Sequence, residues 1–212
     1  VFVALTGKAY SWAKKFAFGI KLKKIPNGID LEKFKPAGEK FKIDLPGKIV
    51  LSVGALVWYK YHDRVVEALS KLDGTSLLIV GKGEEEVRIR QLAEKKLKGR
   101  YKIISVSYED MPKIYRAAQV FTLPSWDREA FGIVYLEAMA SNVPVVAPDD
   151  ASRMEIVGDG GVLVNTSDID KYADALKRAM ITDWKDKPRT QAEKFSWDFV
   201  AGEYEKLFEE LS

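Results

Sequence analysis

The sequence predicts an α/β fold with a doubly wound parallel sheet of about six strands, and three observations support this. Short runs that are apolar throughout recur along the chain, for example at residues 49–53, 77–80 and 143–147. Segments of helical composition separate them, and strands that are apolar on both faces belong to a parallel sheet covered on both sides. The 212 residues, 47% of them hydrophobic, suffice for one large core. Ligands in such folds bind at the carboxyl ends of the strands, so the loops there are the informative ones.

The first part of the chain predicts two short strands and a helix. Residues 1–5 and 22–25 form apolar strand-like runs, and residues 10–18 form a short helix that carries Trp12 and Phe16. Pro26-Asn27-Gly28 is a turn signal that ends the second strand. Because the chain begins inside a strand, we expect it to be a fragment of something longer.

From Lys48 onward the predicted elements alternate regularly. The strands are residues 49–53, 77–80, 101–106, 120–123, 143–147 and 162–164. The helices are residues 64–72, 84–98, 111–118, 132–140 and 169–181. Ser196 is a good N-cap for a final helix that reaches Leu211.

The composition argues against several classes of function. A net charge of +3 is too small to indicate a nucleic-acid partner. The chain has no cysteine and one histidine, which excludes disulfides and argues against a zinc site. No apolar run approaches the ~20 residues that a membrane-spanning helix needs, and no secretory signal is visible. We therefore expect a cytoplasmic protein without a bound metal.

Two carboxylates stand out in the stretch from Leu123 to Ala140. Glu129 lies in the turn before a predicted helix, and Glu137 lies inside that helix among apolar neighbours. Because an ionised carboxylate is costly to bury without a partner, Glu137 should face either water or a ligand. Gly132 would let a ligand approach the helix N-terminus closely. Two interpretations stay open here: a helix cap with a solvent-facing residue, or two contacts to the hydroxyl groups of one polar ligand.

The spacing of Glu129 and Glu137, with seven residues between them, resembles the E-x7-E signature of retaining glycosyltransferases of family four (group 1). The runs Glu137-Ala138-Met139-Ala140 and Ile25-Pro26-Asn27-Gly28-Ile29-Asp30 are also similar to that family. The resemblance implies the Rossmann-like, donor-binding C-terminal half of a GT-B fold. It implies transfer of a hexose, mannose or glucose by family frequency, from a nucleoside-diphosphate sugar to an acceptor hydroxyl with retention. No cofactor is implied besides the nucleotide-sugar donor substrate.

The resemblance also implies roles for individual residues. Glu129 would bind hydroxyl groups of the donor sugar, and Glu137 would bind the ribose hydroxyls. The backbone of Phe131, Gly132 and Ile133 would contact the sugar and the phosphates. We therefore expect Glu129, together with Lys60, to be catalytic.

The loop Gly54-Ala55-Leu56-Val57-Trp58-Tyr59-Lys60 follows the first strand of the regular part. In the resembled family its counterpart contacts the donor diphosphate through an arginine and a lysine. Lys60 matches the lysine, whereas Ala55 stands at the position of the arginine. Because of this departure the sequence does not predict how tightly the donor binds. Arg128 and Arg153 are candidates to compensate for the missing arginine. Gly54 and the backbone of Val106, expected to read the nucleobase edge, complete the predicted donor site.

Four further features have plainer interpretations. Gly81-Lys82-Gly83 lacks the third glycine of a dinucleotide fingerprint and is expected to be a structural turn. Asp149-Asp150 is expected to be a solvated turn and helix cap rather than a metal site. His62 is expected to lie on the surface. Tyr108 could belong to the base site or simply to loop packing.

The resemblance implies three parts. Residues 1–24 would end a missing N-terminal acceptor domain and form the linker between the domains. Residues 25–195 would bind the donor, and residues 196–212 would form a helix that crosses back toward the N-terminal domain. The basic aromatic stretch 8–24 would pack against the missing domain or lie on an anionic membrane surface near a lipid-linked acceptor. Two other functions fit the same architecture: a non-catalytic nucleotide-sugar-binding module, and a sugar-nucleotide epimerase or phosphorylase. The broken glycine fingerprint argues against an oxidoreductase.

Overall fold

A six-stranded parallel sheet forms the centre of the computed structural model, which describes residues 1–125 and 128–212. The strands in chain order are β3 (Lys48–Val53), β4 (Thr75–Val80), β5 (Tyr101–Ile104), β6 (Val120–Thr122), β7 (Val145–Pro148) and β8 (Gly161–Val164). Their order across the sheet is β5-β4-β3-β6-β7-β8. A separate parallel pair consists of β1 (Phe2–Ala4) and β2 (Leu22–Lys24). The predicted fold class is confirmed.

Helices cover both faces of the sheet. They are α1 (Gly7–Ala13), α2 (His62–Leu69), α3 (Glu86–Leu97), α4 (Met111–Ala117), α5 (Ile133–Ala140), α6 (Ala151–Val157), α7 (Ile169–Ile181), α8 (Lys187–Glu193) and α9 (Trp197–Glu209). The sequence did not predict α8, and of α6 it predicted only the cap at Asp149-Asp150. The predicted helix 10–18 was misplaced, because Thr6 caps α1 by accepting the Ala9 N–H at 3.2 Å and so begins the helix earlier.

Successive residues of one strand contribute to different cores. Leu51 of β3 packs with Phe121 on the side of α4 and α5, whereas its neighbour Val50 packs with Val120 on the side of α2 and α7. Burying each aliphatic side chain contributes roughly 1.5–3 kcal/mol. Two covered faces therefore explain why the strands are apolar throughout.

The chain reverses its direction of travel across the sheet between β3 and β6. From β3 it first proceeds outward through β4 and β5, and it then returns to the other side of β3 with β6. In open α/β sheets such a switch point leaves a crevice at the carboxyl ends of the two strands. The loops that leave β3 at Gly54 and β6 at Leu123 therefore meet there.

The last helix packs against the beginning of the chain. Ser196 caps α9 as predicted and accepts the Phe199 N–H at 3.2 Å. Val200 and Leu207 of α9 bury Ile25, which follows β2. None of the described helices combines the length and the apolar character that crossing a bilayer requires.

Candidate functional site

Lys60 and Glu129 meet at the switch point. Lys60 ends a short 3-10 turn, Trp58–Lys60, in the loop after β3, and Glu129 lies in the loop between β6 and α5. Their side chains form an ion pair and are only 16% and 14% exposed. The structure thus brings together two residues that are 69 positions apart. Trp126 and Asp127, in the same predicted turn as Glu129, lie outside the described residues.

Glu137 is buried in α5, with 5% of its surface exposed. The alternative in which it faces water is therefore wrong. The hydroxyl of Tyr115 donates a hydrogen bond to its Oε2 at 2.6 Å. Burial raises the pKa of the Glu137 carboxyl, while the bond from Tyr115 and the charge of Lys33 act against that rise. The carboxylate thus keeps a polar environment inside an otherwise apolar helix.

Gly132 is required by the geometry of the turn before α5. Its φ is 86°, and a Cβ built there would lie 2.5 Å from the ring of Tyr135. Phe131 is buried against Phe195, with ring centroids 6.3 Å apart, so its side chain belongs to the core. Ile133 begins the helix and is partly exposed. A ligand at this turn could therefore reach Phe131 through backbone groups only.

Arg153 supports the loop that carries Glu129. This arginine is 1% exposed and lies in the first turn of α6. Its Nη1 lies 3.2 Å from Asp150 Oδ1, and its Nη2 donates to the carbonyl oxygens of Ser125 at 3.0 Å and Glu129 at 3.3 Å. Sequence reasoning gave no sign of this role, because the partners are mainly backbone oxygens of another loop.

Arg128 lies against the loop that carries Lys60. Its guanidinium carbon is 4.7 Å from the ring centroid of Trp58 and 5.8 Å from that of Tyr59. Such cation–π contacts are worth roughly 0.5–1 kcal/mol at exposed sites. Of the two arginines considered as compensation for Ala55, Arg128 is therefore exposed beside Lys60, whereas Arg153 is buried among protein oxygens.

The prediction that His62 lies on the surface was wrong. The residue is 1% exposed, and its Nδ1 lies 3.1 Å from the hydroxyl oxygen of buried Ser52. Burial lowers the pKa of His62 to about 4, so the ring is neutral at pH 7. A signal was available: His62, Val65, Val66 and Leu69 follow the i, i+3, i+4, i+7 spacing of a core-facing helical stripe, and all are buried in α2.

The Gly81-Lys82-Gly83 turn is structural, as predicted. A Cβ on Gly81 would lie 1.9 Å from the carbonyl oxygen of Gly54, and one on Gly83 would lie 2.4 Å from that of Leu56. The turn after β4 therefore supports the loop that carries Ala55, at a distance that only glycine allows.

The cap predicted at Asp149-Asp150 is confirmed. The side chain of Asp150 accepts hydrogen bonds from the backbone N–H groups of Ser152 and Arg153. Among residues 1–125 and 128–212, no group of three His, Cys, Asp or Glu side chains is close enough to hold a metal ion.

The predicted base-reading strand ends earlier than expected, at Ile104, so Val106 lies two residues beyond it. Val106 lines a cleft of about 230 Å³ together with Phe41 and Ile43. Tyr108 packs against Phe34, with ring centroids 5.8 Å apart, but remains 56% exposed. Tyr108 thus takes part in loop packing, and more than half of its surface remains accessible to a ligand.

A larger cleft of about 720 Å³ borders Glu129. One wall consists of Lys8 and Trp12 of α1 and of Lys15 just beyond it, and the other includes Glu129 and Arg153. The carboxylate that pairs with Lys60 therefore lies beside a space large enough for a sugar ring.

Residues 35–195 match the family model described as glycosyl transferases group 1. The chain belongs to this family. Two curated relatives illustrate the match within the group. One is a GDP-mannose-dependent monoacylated alpha-(1-6)-phosphatidylinositol monomannoside mannosyltransferase of Corynebacterium glutamicum, 31% identical over 76% of this chain and 48% of that protein. The other is an exopolysaccharide phosphotransferase of Streptomyces coelicolor, 30% identical over 99% of this chain and 23% of that protein.

Solved structures of the same fold match nearly the whole of this chain. Sucrose-phosphate synthase from Thermosynechococcus elongatus superposes with a TM-score of 0.85 at 25% identity, over 99% of this chain and 57% of that chain. Anabaena HepE in complex with UDP and glucose superposes with a TM-score of 0.79 at 19% identity, over 98% and 62%. The chain spans about half or less of the first curated relatives it matches, between 23% and 48%.

Proposed function

We propose that this chain is the donor-binding part of a glycosyltransferase that transfers a hexose from a nucleoside-diphosphate sugar to an acceptor hydroxyl with retention. The observation that carries the proposal is the meeting of Lys60 and Glu129 at the switch point, beside the 720 Å³ cleft. A cation and a carboxylate at this position suit a ligand that has an anionic part next to a hydroxyl-bearing part.

Lys60 would stabilise the diphosphate. During transfer the bond between the sugar and the diphosphate breaks, the acceptor oxygen forms the new glycosidic bond, and the acceptor proton is released. Negative charge then develops on the leaving diphosphate, and a positioned cation lowers the energy of that state. Arg128, held over Trp58 on the same loop, is the second cation near this position.

Glu129 would bind the sugar. Its charge is compensated by Lys60, so donor binding would have to redistribute this pair. The diphosphate would replace Glu129 at Lys60, and hydroxyl groups of the sugar would replace Lys60 at Glu129. Hydrogen bonds to a charged acceptor contribute roughly 1.5–3 kcal/mol each.

Glu137 would bind the ribose hydroxyls of the nucleotide, as the family resemblance implies. The relative from Corynebacterium is named as GDP-mannose-dependent, whereas Anabaena HepE, which shares the fold, was solved with UDP and glucose, so the base differs between these two proteins. Mannose or glucose remains our proposal for the sugar.

Calorimetric titration of the 212-residue chain with GDP, UDP, ADP and NAD tests the proposal. We expect one nucleoside diphosphate to bind with micromolar affinity and NAD not to bind. Absence of binding by all three diphosphates would overturn the donor-binding role, and selective binding of NAD would favour an oxidoreductase.

A non-catalytic nucleotide-sugar-binding module is a second candidate, favoured by Ala55 in the diphosphate loop. An arginine at this position should strengthen binding of the diphosphate, so Ala55→Arg should increase affinity if the site is only weakened. An epimerase would change the free nucleotide sugar without an acceptor, and a phosphorylase would need orthophosphate. Product analysis with each co-substrate separates these reactions.

The acceptor and the location remain proposals too. We propose a cytoplasmic enzyme whose remaining domain covers the exposed aromatic side chains in and just after α1, such as Trp12 and Phe16. A lipid-linked acceptor at the inner membrane face is the alternative, and co-sedimentation with anionic and neutral vesicles distinguishes the two. Nucleic acid is not a proposed partner.

A further inference from the structure

Tyr115 occupies a fixed position next to Glu137. Its ring is fully buried, with centroids 5.9 Å from Phe34 and 5.8 Å from Phe121. This packing between two aromatic rings prevents the side chain from turning away. Its hydroxyl therefore lies where the structure shows it, 2.6 Å from Oε2 of Glu137.

The Tyr115 hydroxyl can act only as the donor in this contact when Glu137 is ionised, because a carboxylate has no proton to give. Burial raises the pKa of Tyr115 well above its ordinary value, so the phenol keeps its proton over the working pH range. A hydrogen bond to an ionised acceptor is roughly twice as strong as one between neutral groups. The contact thus favours the charged form of Glu137.

We propose that Tyr115 is a positioning residue for donor binding: its hydroxyl holds the Glu137 carboxylate in place and in its charged form, ready to accept hydrogen bonds from hydroxyl groups of the donor. The inference rests on the proposed function of Glu137. Among residues 1–125 and 128–212, the titratable groups that face Glu137 are Tyr115 of α4, Tyr108 of the preceding loop, and Lys33.

Two other buried tyrosines provide a comparison. Tyr135 donates to the carbonyl oxygen of Leu123 at 2.6 Å, and the hydroxyl of Tyr172 lies 2.6 Å from Thr122 Oγ1. Tyr115 contacts a carboxylate, Tyr172 contacts a neutral hydroxyl, and Tyr135 contacts a carbonyl oxygen and also interacts with the guanidinium of Arg153. Tyr172 packs in the core on the opposite face of the sheet from Glu137, which makes Tyr172→Phe a matched control.

The test is calorimetric titration of Tyr115→Phe with the nucleoside diphosphate that the wild type binds, between pH 5 and pH 8. We expect affinity about tenfold lower at pH 7, because the Glu137 carboxylate is no longer held in place and in its charged form. We expect a larger loss at pH 5.5 than at pH 8, because Glu137 becomes protonated at a higher pH. Tyr172→Phe should keep both the affinity and the pH profile of the wild type.

Two results would overturn the inference: wild-type affinity in Tyr115→Phe, or a loss of the same size at every pH, which would indicate a packing role only. Glu137→Gln serves as a second variant, which should bind without this pH dependence whether or not Tyr115→Phe folds. A ¹³C NMR titration of the Glu137 carboxyl needs no ligand. If no diphosphate binds to the wild type, the proposed function fails, while a higher carboxyl pKa in Tyr115→Phe would still establish the contact.

Discussion

Glu129 and Glu137 belong to one signature, yet the protein treats them in opposite ways. Glu129 lies in a loop, beside a cleft, and its partner Lys60 comes from a different loop. Glu137 lies in a helix, is buried, and its partner is the neutral hydroxyl of Tyr115. A cationic partner can be exchanged for a ligand, whereas a hydroxyl packed between aromatic rings stays in place. The spacing of the motif therefore identifies the two carboxylates, and the residues around each carboxylate determine what it can bind.

Lowering the pH should destabilise the fold through His62, whereas protonation of Glu137 should stabilise it. The contribution of His62 is the largest effect that we expect. Its pKa falls from 6.5 to about 4 on folding, so its contribution to stability is complete above pH 6.5 and is lost as the pH falls toward 4. The loss amounts to about 3 kcal/mol at 1.36 kcal/mol per pKa unit. Urea unfolding of wild type and His62→Leu between pH 7 and pH 4 should show this difference. Parallel acid profiles in the two proteins would contradict it.

Removing the cation of the exchangeable pair should give the next largest effect. Lys60→Ala leaves Glu129 without its partner and the diphosphate without its cation. We expect affinity for the nucleoside diphosphate to fall about 30-fold, equivalent to roughly 2 kcal/mol. Lys71→Ala is the control, because Lys71 pairs with Asp170 on the surface. Equal affinities of the two variants in calorimetry would disprove the role of Lys60.

Glu137→Gln should weaken binding and strengthen the fold. The amide cannot accept as strongly as a carboxylate, so we expect about tenfold lower affinity for the diphosphate. Burial raises the pKa of the Glu137 carboxyl, so its charge opposes folding, and removing that charge should stabilise the fold. We therefore expect a higher melting temperature for the variant. A lower melting temperature would show that the charge is fully compensated by its surroundings.

Glu129→Gln should give the smallest effect, and one in the opposite direction. With Lys60 released from its ion pair, a nucleoside diphosphate without the sugar should bind about fivefold more tightly, or roughly 1 kcal/mol. The nucleotide sugar should gain less, because it also loses a contact to its hydroxyl groups. Calorimetry with both ligands measures this difference. Weaker binding of the free diphosphate would mean that Glu129 does not compete for Lys60.

The sequence was sufficient for the sheet and for the loops that carry the main candidates. Apolar runs gave every strand of the central sheet, and the loops at its carboxyl edge contained Lys60 and Glu129. Spacing alone left Glu137 ambiguous, because burial depends on which helix face meets α4. The resemblance to a known family assigned Glu129 and Glu137 to one signature, but it did not identify the side chains that contact these two carboxylates.

The roles of Arg153 and Tyr115 could not be predicted, because each depends on how separate parts of the chain meet in the fold. Arg153 acts through backbone carbonyl oxygens, and these leave no trace in the side-chain sequence. Tyr115 reads as an ordinary aromatic core residue in α4 until the position of α5 is known. Helices α6 and α8 have seven residues each, which is too short for a long apolar periodicity to indicate them.

Helix α6 also has a mechanical consequence. Two residues after Arg153, its Glu155 accepts the backbone N–H of Gly7 at 2.9 Å and forms an ion pair with Lys24. A helix of seven residues thus connects the first 24 residues with the loop that carries Glu129. Any rotation of residues 1–24 against the sheet must either break the Glu155 contacts or transmit force through α6 to that loop. A substitution of Glu155 would therefore show how strongly α6 connects residues 1–24 with the loop that carries Glu129.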